Sequence, residues 1–397
     1  MTLIGSRDST RSEMGQRQRQ GFRGLINWRI ASTALVLATL AVFFHFASGE
    51  VFFTPRNLSL LLRQCALTAI MAGGVSVILI MAEIDLSIGS AVFLTGTVAA
   101  QVSVTYGLPT WLGVVAALGT GIGLGAWNGF WTTRMMVPSF VVTLAGLLAF
   151  QGVGLIWTNA GTIGPLSPGF INLSEAFIPK NLSSVLLVAL GLLLVATALR
   201  RQRIDRRRHP EDIIKGKGVL RLAAIAVLIG LAVWISSGFL GLPTAVIWMM
   251  AVGALLFFIM SQTKFGRNAY MIGANREAAY LAGINVRRHV FAGFVLMGLL
   301  YGIGGILLDA RLGVSSPVAG QSLLLDALAA AVIGGTSLMG GVGTIPGAMV
   351  GALLLATIDN GMDLLNANSF VQQVVKALIL LFAVALDQWA NRRRSPS

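Results

Sequence analysis

The sequence predicts an all-α fold, a polytopic bundle of membrane-crossing helices, on three observations. The chain of 397 residues is 55% hydrophobic and only 11% charged, where soluble domains carry roughly a quarter charged residues. Twelve apolar runs approach the roughly 20 residues that a helix needs to cross the hydrocarbon core. The basic residues, 29 Lys and Arg against 15 Asp and Glu, collect in alternate connections between those runs.

The runs cover 30–46, 66–82, 86–104, 110–131, 139–157, 183–199, 219–236, 244–260, 291–308, 323–338, 345–358 and 370–386. Lipid offers no hydrogen-bond partner to the peptide group, so each run is read as a helix. The tenth and eleventh are short or broken by glycine, which leaves the count between ten and twelve. Residues 1–29 are polar and Arg-rich, and the run after them is too long, without a small-residue cleavage site, for a secretory signal. They are read as a cytoplasmic tail, with a second tail at 388–397 and the transmembrane region at 30–387. With both tails inside and sides alternating, the inner connections hold 24 Lys and Arg and the outer ones 4, with Lys376 inside the last run. That asymmetry is the positive-inside signature. The formal charge of +14 therefore points to a lipid surface as partner and not to nucleic acid.

Three connections are long. The outer one, 159–182, is expected to carry a short surface helix at 173–177. The inner one at 200–221 is dense in arginine and reads as a solvated anchor. The inner connection at 262–290 has 29 residues, more than a plain link requires. Within it Asn275 can open a helix and Gly283 can end one, so a short helix across the cytoplasmic mouth is expected over 275–281. Glycines at 119, 121, 123, 125 and 129 allow helix backbones to approach closely.

Two polar motifs interrupt the apolar runs. The first, A-E-I-D-L-S-I-G at 82–89, places Glu83 and Asp85 where exposure to lipid would be costly, so they belong at an interface or a helix break. Asp85 and Ser87 can cap the following helix, line a solvated path, or do both. The second motif spans 325–348 and joins Asp326 to a Gly-rich break carrying Thr336 and Ser337. D-L-S-I-G-S-A in the first and T-S-L-M-G-G-V in the second form a weak duplication, and paired interrupted segments in a transporter mark the solute path. The glycines alone would equally permit close packing and a tight turn.

Several classes are excluded. Cys65 is the single cysteine, and His45, His209 and His289 lack metal-ligand spacing, so neither an internal disulfide nor a metal site is expected. No G-x-x-x-x-G-K-[ST], G-x-S-x-G or H-E-x-x-H occurs, so the chain has no P-loop ATPase or hydrolase signature. It is read as a transport subunit without catalytic residues or a cofactor of its own. Two rivals remain: a secondary transporter with a proton carried on Glu83 or Asp85, and a membrane assembly subunit or lipid-modifying enzyme.

The inner connection F-G-R…I-G-A-N…E-A-A…L-A-G-I-N-V, with Glu277, Ala278, Ala279 and Gly283, resembles the "EAA" loop of ABC-importer permeases. I-D-L-S-I-G-S at 84–90, L-D-A-L-A-A-A-V-I-G-G-T-S-L-M-G-G at 325–341 and D-N-G-M at 359–362 extend the resemblance to the ribose/xylose branch, over about 57–387. A-E-I-D-L-S, G-A-W-N-G at 125–129 and V-P-S-F-V-V-T-L-A-G at 137–146 are most similar to the D-xylose type, as is the added membrane pair at 183–236. Leu325 departs from the ribose type, which usually has a glutamate there, and leaves Asp326 without a carboxylate neighbour. The resemblance implies a multi-pass permease of the bacterial inner membrane, working as a homodimer and passing a monosaccharide of the xylose type. It also implies a cytoplasmic ABC ATPase with two nucleotide-binding halves, which would bind the ATP, and a periplasmic sugar-binding protein. The loop at Asn275, Glu277, Ala278, Ala279 and Gly283 would dock on the ATPase, with Glu277 as the polar contact and the alanines permitting close approach. Candidates along the sugar path are Asp85, Ser87, Asn128, Asp326, Thr336 and Asn360.

Overall fold

A computed structural model describes residues 33, 35–208 and 215–392. The tail 1–29 and the start of the first run lie outside the described residues, as do the middle of the Arg-rich connection and residues 393–397. The described residues are mostly helical. A first helix, α1, covers Leu35–Ala47. It is followed by α2 (Pro55–Ile80), α3 (Ile88–Ala100, continued by a π-helical turn at Gln101–Thr105), α4 (Thr110–Thr133), α5 (Ser139–Thr158) and α6 (Pro168–Glu175). Next come β1 (Phe177–Ile178), α7 (Lys180–Arg208), α8 (Lys215–Gly238), β2 (Leu242–Pro243), α9 (Thr244–Gln262), α10 (Lys264–Ala274) and α11 (Arg276–Leu281). The chain closes with α12 (Val286–Leu312), α13 (Leu323–Ile333), α14 (Ile345–Leu364) and α15 (Ser369–Arg392). Eight of the described helices are long and apolar enough to cross a membrane. The C-terminal tail expected from 388 begins as helix, because α15 runs to Arg392.

Burial separates a core from a rim. In α2, 83% of the most apolar stretch is buried, and α3, α12 and α14 are close behind, whereas α4 and α7 bury only 22%. Large side chains such as Leu148, Ile156, Val185 and Leu192 stay exposed on the rim, as expected where lipid replaces water. The helices α7 and α8 pack mainly on each other. They leave and re-enter the bundle through a two-residue antiparallel ladder that pairs Phe177 with Pro243 and Ile178 with Leu242.

Several boundaries differ from the expected ones for identifiable reasons. Helix α2 starts at Pro55, before the apolar run, because Thr54 caps it: the Asn57 amide donates to Thr54 Oγ1 at 3.4 Å. Its polar first turns are partnered, Arg63 by Glu175 and Asn57 by Asn360. The surface helix lies at Pro168–Glu175 and not at 173–177, since Ser167 caps it and Pro168 occupies its first position. The tenth run is the largest departure. Helix α13 has 11 residues, a rise of about 16 Å against a hydrocarbon core of about 30 Å, and it breaks at Gly334 and Gly335 into a loop that lasts to Thr344.

The glycine-rich face of α4 fits against α12. A Cβ on Gly125 would fall 2.2 Å from the Phe294 carbonyl oxygen, and one on Gly121 would fall 2.3 Å from that of Gly298. Gly119 and Gly123, on the other side of the same helix, have nothing within 4 Å. We expect Gly125→Ala to force α4 and α12 apart and to cost about 1–3 kcal/mol, read as a lower melting temperature in detergent. Gly123→Ala should leave melting unchanged or slightly higher; equal effects at both positions would contradict this packing.

Candidate functional site

The polypeptide between α2 and α3, residues 81–87, is not helical. Ala82 takes a left-handed turn at φ +60°, and the chain then runs irregularly into the bundle until α3 begins at Ile88. Peptide groups released from a helix in a low-dielectric interior must find other partners. Ser139 and Thr143 of α5 supply them: the Ile84 amide donates to Ser139 Oγ at 3.1 Å, and Thr143 Oγ1 donates to the Ile84 carbonyl at 3.2 Å. Both residues belong to V-P-S-F-V-V-T, which thus supports the non-helical segment directly.

Asp85 and Ser87 sit in a cluster closed to solvent. Asp85 Oδ1 accepts from the Ser87 amide at 2.9 Å and from Ser87 Oγ at 2.8 Å, and Tyr301 of α12 donates to Asp85 Oδ2. Asn128 of α4 donates to Ser87 Oγ at 3.0 Å. Asp85 is 4% exposed, and Ser87, Asn128 and Tyr301 are fully buried. A carboxylate this deep is tolerable only because three donors meet it. Three of the six path candidates are therefore together, in a cluster that ties α3, α4 and α12. Tyr301 is the member that sequence reasoning missed, since a tyrosine within an apolar run carries no signal of its own.

The second interrupted segment meets the first. A Cβ on Gly89, in the first turn of α3, would lie 2.7 Å from the Gly320 carbonyl oxygen just before α13. Past α13, Thr336 Oγ1 lies 2.9 Å from Ser76 Oγ of α2, and the loop glycines press on α14, with a Gly334 Cβ falling 2.2 Å from the Gly347 carbonyl oxygen. Asn360 forms a reciprocal amide pair with Asn57, at 2.8 and 3.0 Å. Thr336 and Asn360 are both buried and join α2 to the loop and to α14. Asp326 borders an open space. Lys376 Nζ lies 3.1 Å from Asp326 and 2.8 Å from Asp359, so one cation from α15 serves carboxylates on α13 and α14.

At one end of the bundle the connection 262–290 folds into two helices. Asn275 caps α11 as expected, accepting from the Ala278 amide at 2.9 Å, and Gly283 turns the chain out of it at φ +81°. Glu277, Ala278, Tyr280 and Leu281 are exposed, but Ala279 is 2% exposed and packs into the bundle. The close approach that Ala279 permits is to this chain, while Tyr280 and Leu281 extend the outward face beyond the residues picked from sequence. A groove of about 1330 Å³ separates α11 from the α4–α5 turn, with Tyr280 and Leu281 on one wall and Met136 and Pro138 on the other.

This end is joined to both interrupted segments. Arg276 of α11 reaches Glu83 at 2.7 Å. Tyr270 of α10 donates to the Gly343 carbonyl at 2.9 Å, and the Gly341 amide donates to the Ile80 carbonyl at 2.9 Å. Among the described residues no group of three or more His, Cys, Asp or Glu could hold a metal.

Residues 57–384 match the family described as the branched-chain amino acid transport system permease component. The xylose transport system permease protein XylH of Escherichia coli K12 is 40% identical over 382 residues, 94% of this chain and 96% of that one. XylH of Haemophilus influenzae is 38% identical over 372 residues, covering 93% and 98%. The ribose import permease protein RbsC of E. coli K12 is 32% identical over 362 residues, covering 91% and 94%. No solved structure matches. A bundle of apolar helices holding two polar breaks, matched along four fifths of its length, belongs to the branched-chain amino acid transport system permease family.

Proposed function

We propose that this chain is the membrane-spanning permease subunit of an ATP-binding-cassette importer that brings a monosaccharide, D-xylose, across the bacterial inner membrane. The observation that carries the reading is the extent of its likeness to proteins named as xylose permeases, 40% identity along 94% of the chain. The chain binds no cofactor of its own, and the ATP is bound by a separate subunit with two nucleotide-binding halves. A periplasmic sugar-binding protein delivers the substrate, and two copies of the chain flank one path.

In this reading the chain crosses the bilayer twelve times, the crossing begun by α13 being completed by the loop after it, and both termini are cytoplasmic. The segregation of 24 basic residues from 4 supports that orientation. Ten crossings form the transport core, and α7 with α8 is an added pair, supported by their peripheral packing and their ladder neck. The N-terminal tail 1–29, the Arg-rich connection and the α10–α11 connection then share the cytoplasmic side.

The mechanism is alternating access. The ATPase grips α11 through Glu277 and the exposed Tyr280 and Leu281. When nucleotide closes the ATPase, α11 moves with it, and Arg276 draws Glu83 and the non-helical segment along. Because helices and packed cores move as discrete bodies and do not deform continuously, the displacement reaches α3, α4 and α12 through the Asp85 cluster. A sugar path requires polar groups without tight binding, since a deep well would slow release.

Proteoliposomes containing the permease, the ATPase and the binding protein should accumulate D-xylose only with ATP inside, and should not accumulate leucine. Leucine uptake would favour the amino acid named in the family description. Uptake by the permease alone, collapsed by an uncoupler, would transfer the role to a proton on Glu83 or Asp85. Glu277→Arg should abolish co-purification of the ATPase, a loss of at least about tenfold in affinity, while insertion and melting stay unchanged. Undiminished co-purification would remove Glu277 from the contact.

A further inference from the structure

The bundle contains a polar cavity of about 270 Å³ among α2, α12, α13, α14 and α15. Its charged lining comprises Asp326, Asp359, Asp363, Lys376 and Arg311. Arg311 is in the last turn of α12 and Asp363 in the last turn of α14. Both helices begin at the α10–α11 end, so the cavity lies toward the opposite end of the bundle. Lys376 is the single charged residue between 369 and 386 of a mostly apolar stretch, and an ionisable group so placed marks a functional site by default.

Pinning α15 to the bundle would take one ion pair. The cavity has more than that. Lys376 already holds both Asp326 and Asp359, and Gln372 donates to Asp363 at 2.8 Å. Two lining oxygens, Gln64 Oε1 and Asp359 Oδ1, are shielded from solvent and accept from no described group. Buried acceptors without donors are uncommon and call for an explanation. Rotation about a terminal torsion, broad for these side chains, would present either oxygen to the cavity. The missing partner must bring donors, and must tolerate both signs of charge, because carboxylates and a lysine share the wall. Hydroxyl groups do both. Leu67, Leu308 and Leu323 give the same cavity an apolar side, suited to the C–H face of a sugar ring. Its size is just below the roughly 300–1,000 Å³ of pockets for drug-sized ligands, which suits one monosaccharide.

We propose that this cavity is a monosaccharide-binding site within the permease itself, in which Asp326, Asp359 and Gln64 accept from sugar hydroxyls while Lys376 donates to them. The proposal rests on the transport reading above and gives it a waypoint. Sugar released on the side opposite α11 pauses here before α13 and the loop after it move.

Saturation-transfer NMR of D-xylose with the full-length permease in lipid nanodiscs tests the proposal, alongside uptake by the complete transporter. Xylose should give a signal in the millimolar range that weakens about tenfold in Asp359→Asn, which loses a charged acceptor. Gln64→Leu, which removes only an unpartnered acceptor, should also weaken it and keeps the test valid if the aspartate variant fails to fold. If the complete transporter imports xylose but the permease shows no signal, or the signal survives both variants, the site is overturned and the transport reading stands. If the complete transporter does not import xylose and the permease does not bind it, both fall.

Discussion

Helices from across this bundle meet at seven residues that are not helical. Between α2 and α3 the chain leaves the helical hydrogen-bond pattern within a largely buried part of the bundle, so its peptide groups and two carboxylates are met by side chains. Ser139 and Thr143 meet the backbone of Ile84, Tyr301, Asn128 and Ser87 complete the Asp85 cluster, and Arg276 meets Glu83. Removing any of these would leave a buried polar group unsatisfied, at about 1–3 kcal/mol and more for a charge. The helices that supply the partners are therefore held in fixed relation to one another through the segment.

That arrangement separates two tasks. Asp85 is tied inward to α4 and α12, while Glu83, two residues earlier, is tied outward to α11. A displacement of the exposed helix reaches the core through this seven-residue segment, which hydrogen bonds to Ser139, Thr143 and within itself hold in place. The second break is tied to the same end by Tyr270 on Gly343 and by the Gly341 amide on Ile80. A Cβ on Gly340, in the second break, would fall 2.7 Å from Ala82 Cβ in the first, so the two breaks are packed together and move together.

Much of this was legible in the sequence. Apolar runs located the helices, because length and hydropathy are direct consequences of the bilayer. The short helix at 276–281 was legible because a cap and a terminating glycine are local chemistry. The convergence of A-E-I-D-L-S, G-A-W-N-G and V-P-S-F-V-V-T on one segment was not, since contacts such as Asn128 to Ser87 span 41 positions. Lys376 shows the same limit: within its own run it is a lone charge, and only the packing of α15 brings it to Asp326 and Asp359. The start of α2 was misplaced because polar residues at 56, 57, 63 and 64 read as a loop, although packing satisfies Asn57 and Arg63. The path candidates were chosen for polarity alone, which cannot distinguish the buried staple at Asn360 from the cavity wall at Asp326.

Under the proposed function, force from the ATPase enters the core through Arg276 and Glu83. Charge reversal measures it directly, in ATP-driven D-xylose uptake by reconstituted transporter with ATPase binding checked in parallel. Glu83→Arg and Arg276→Glu should each stop uptake while the ATPase stays bound, and the double reversal, which restores the pair, should recover a substantial share of transport. Single variants that transport at the unaltered rate, or a double variant no better than either single, would contradict the account.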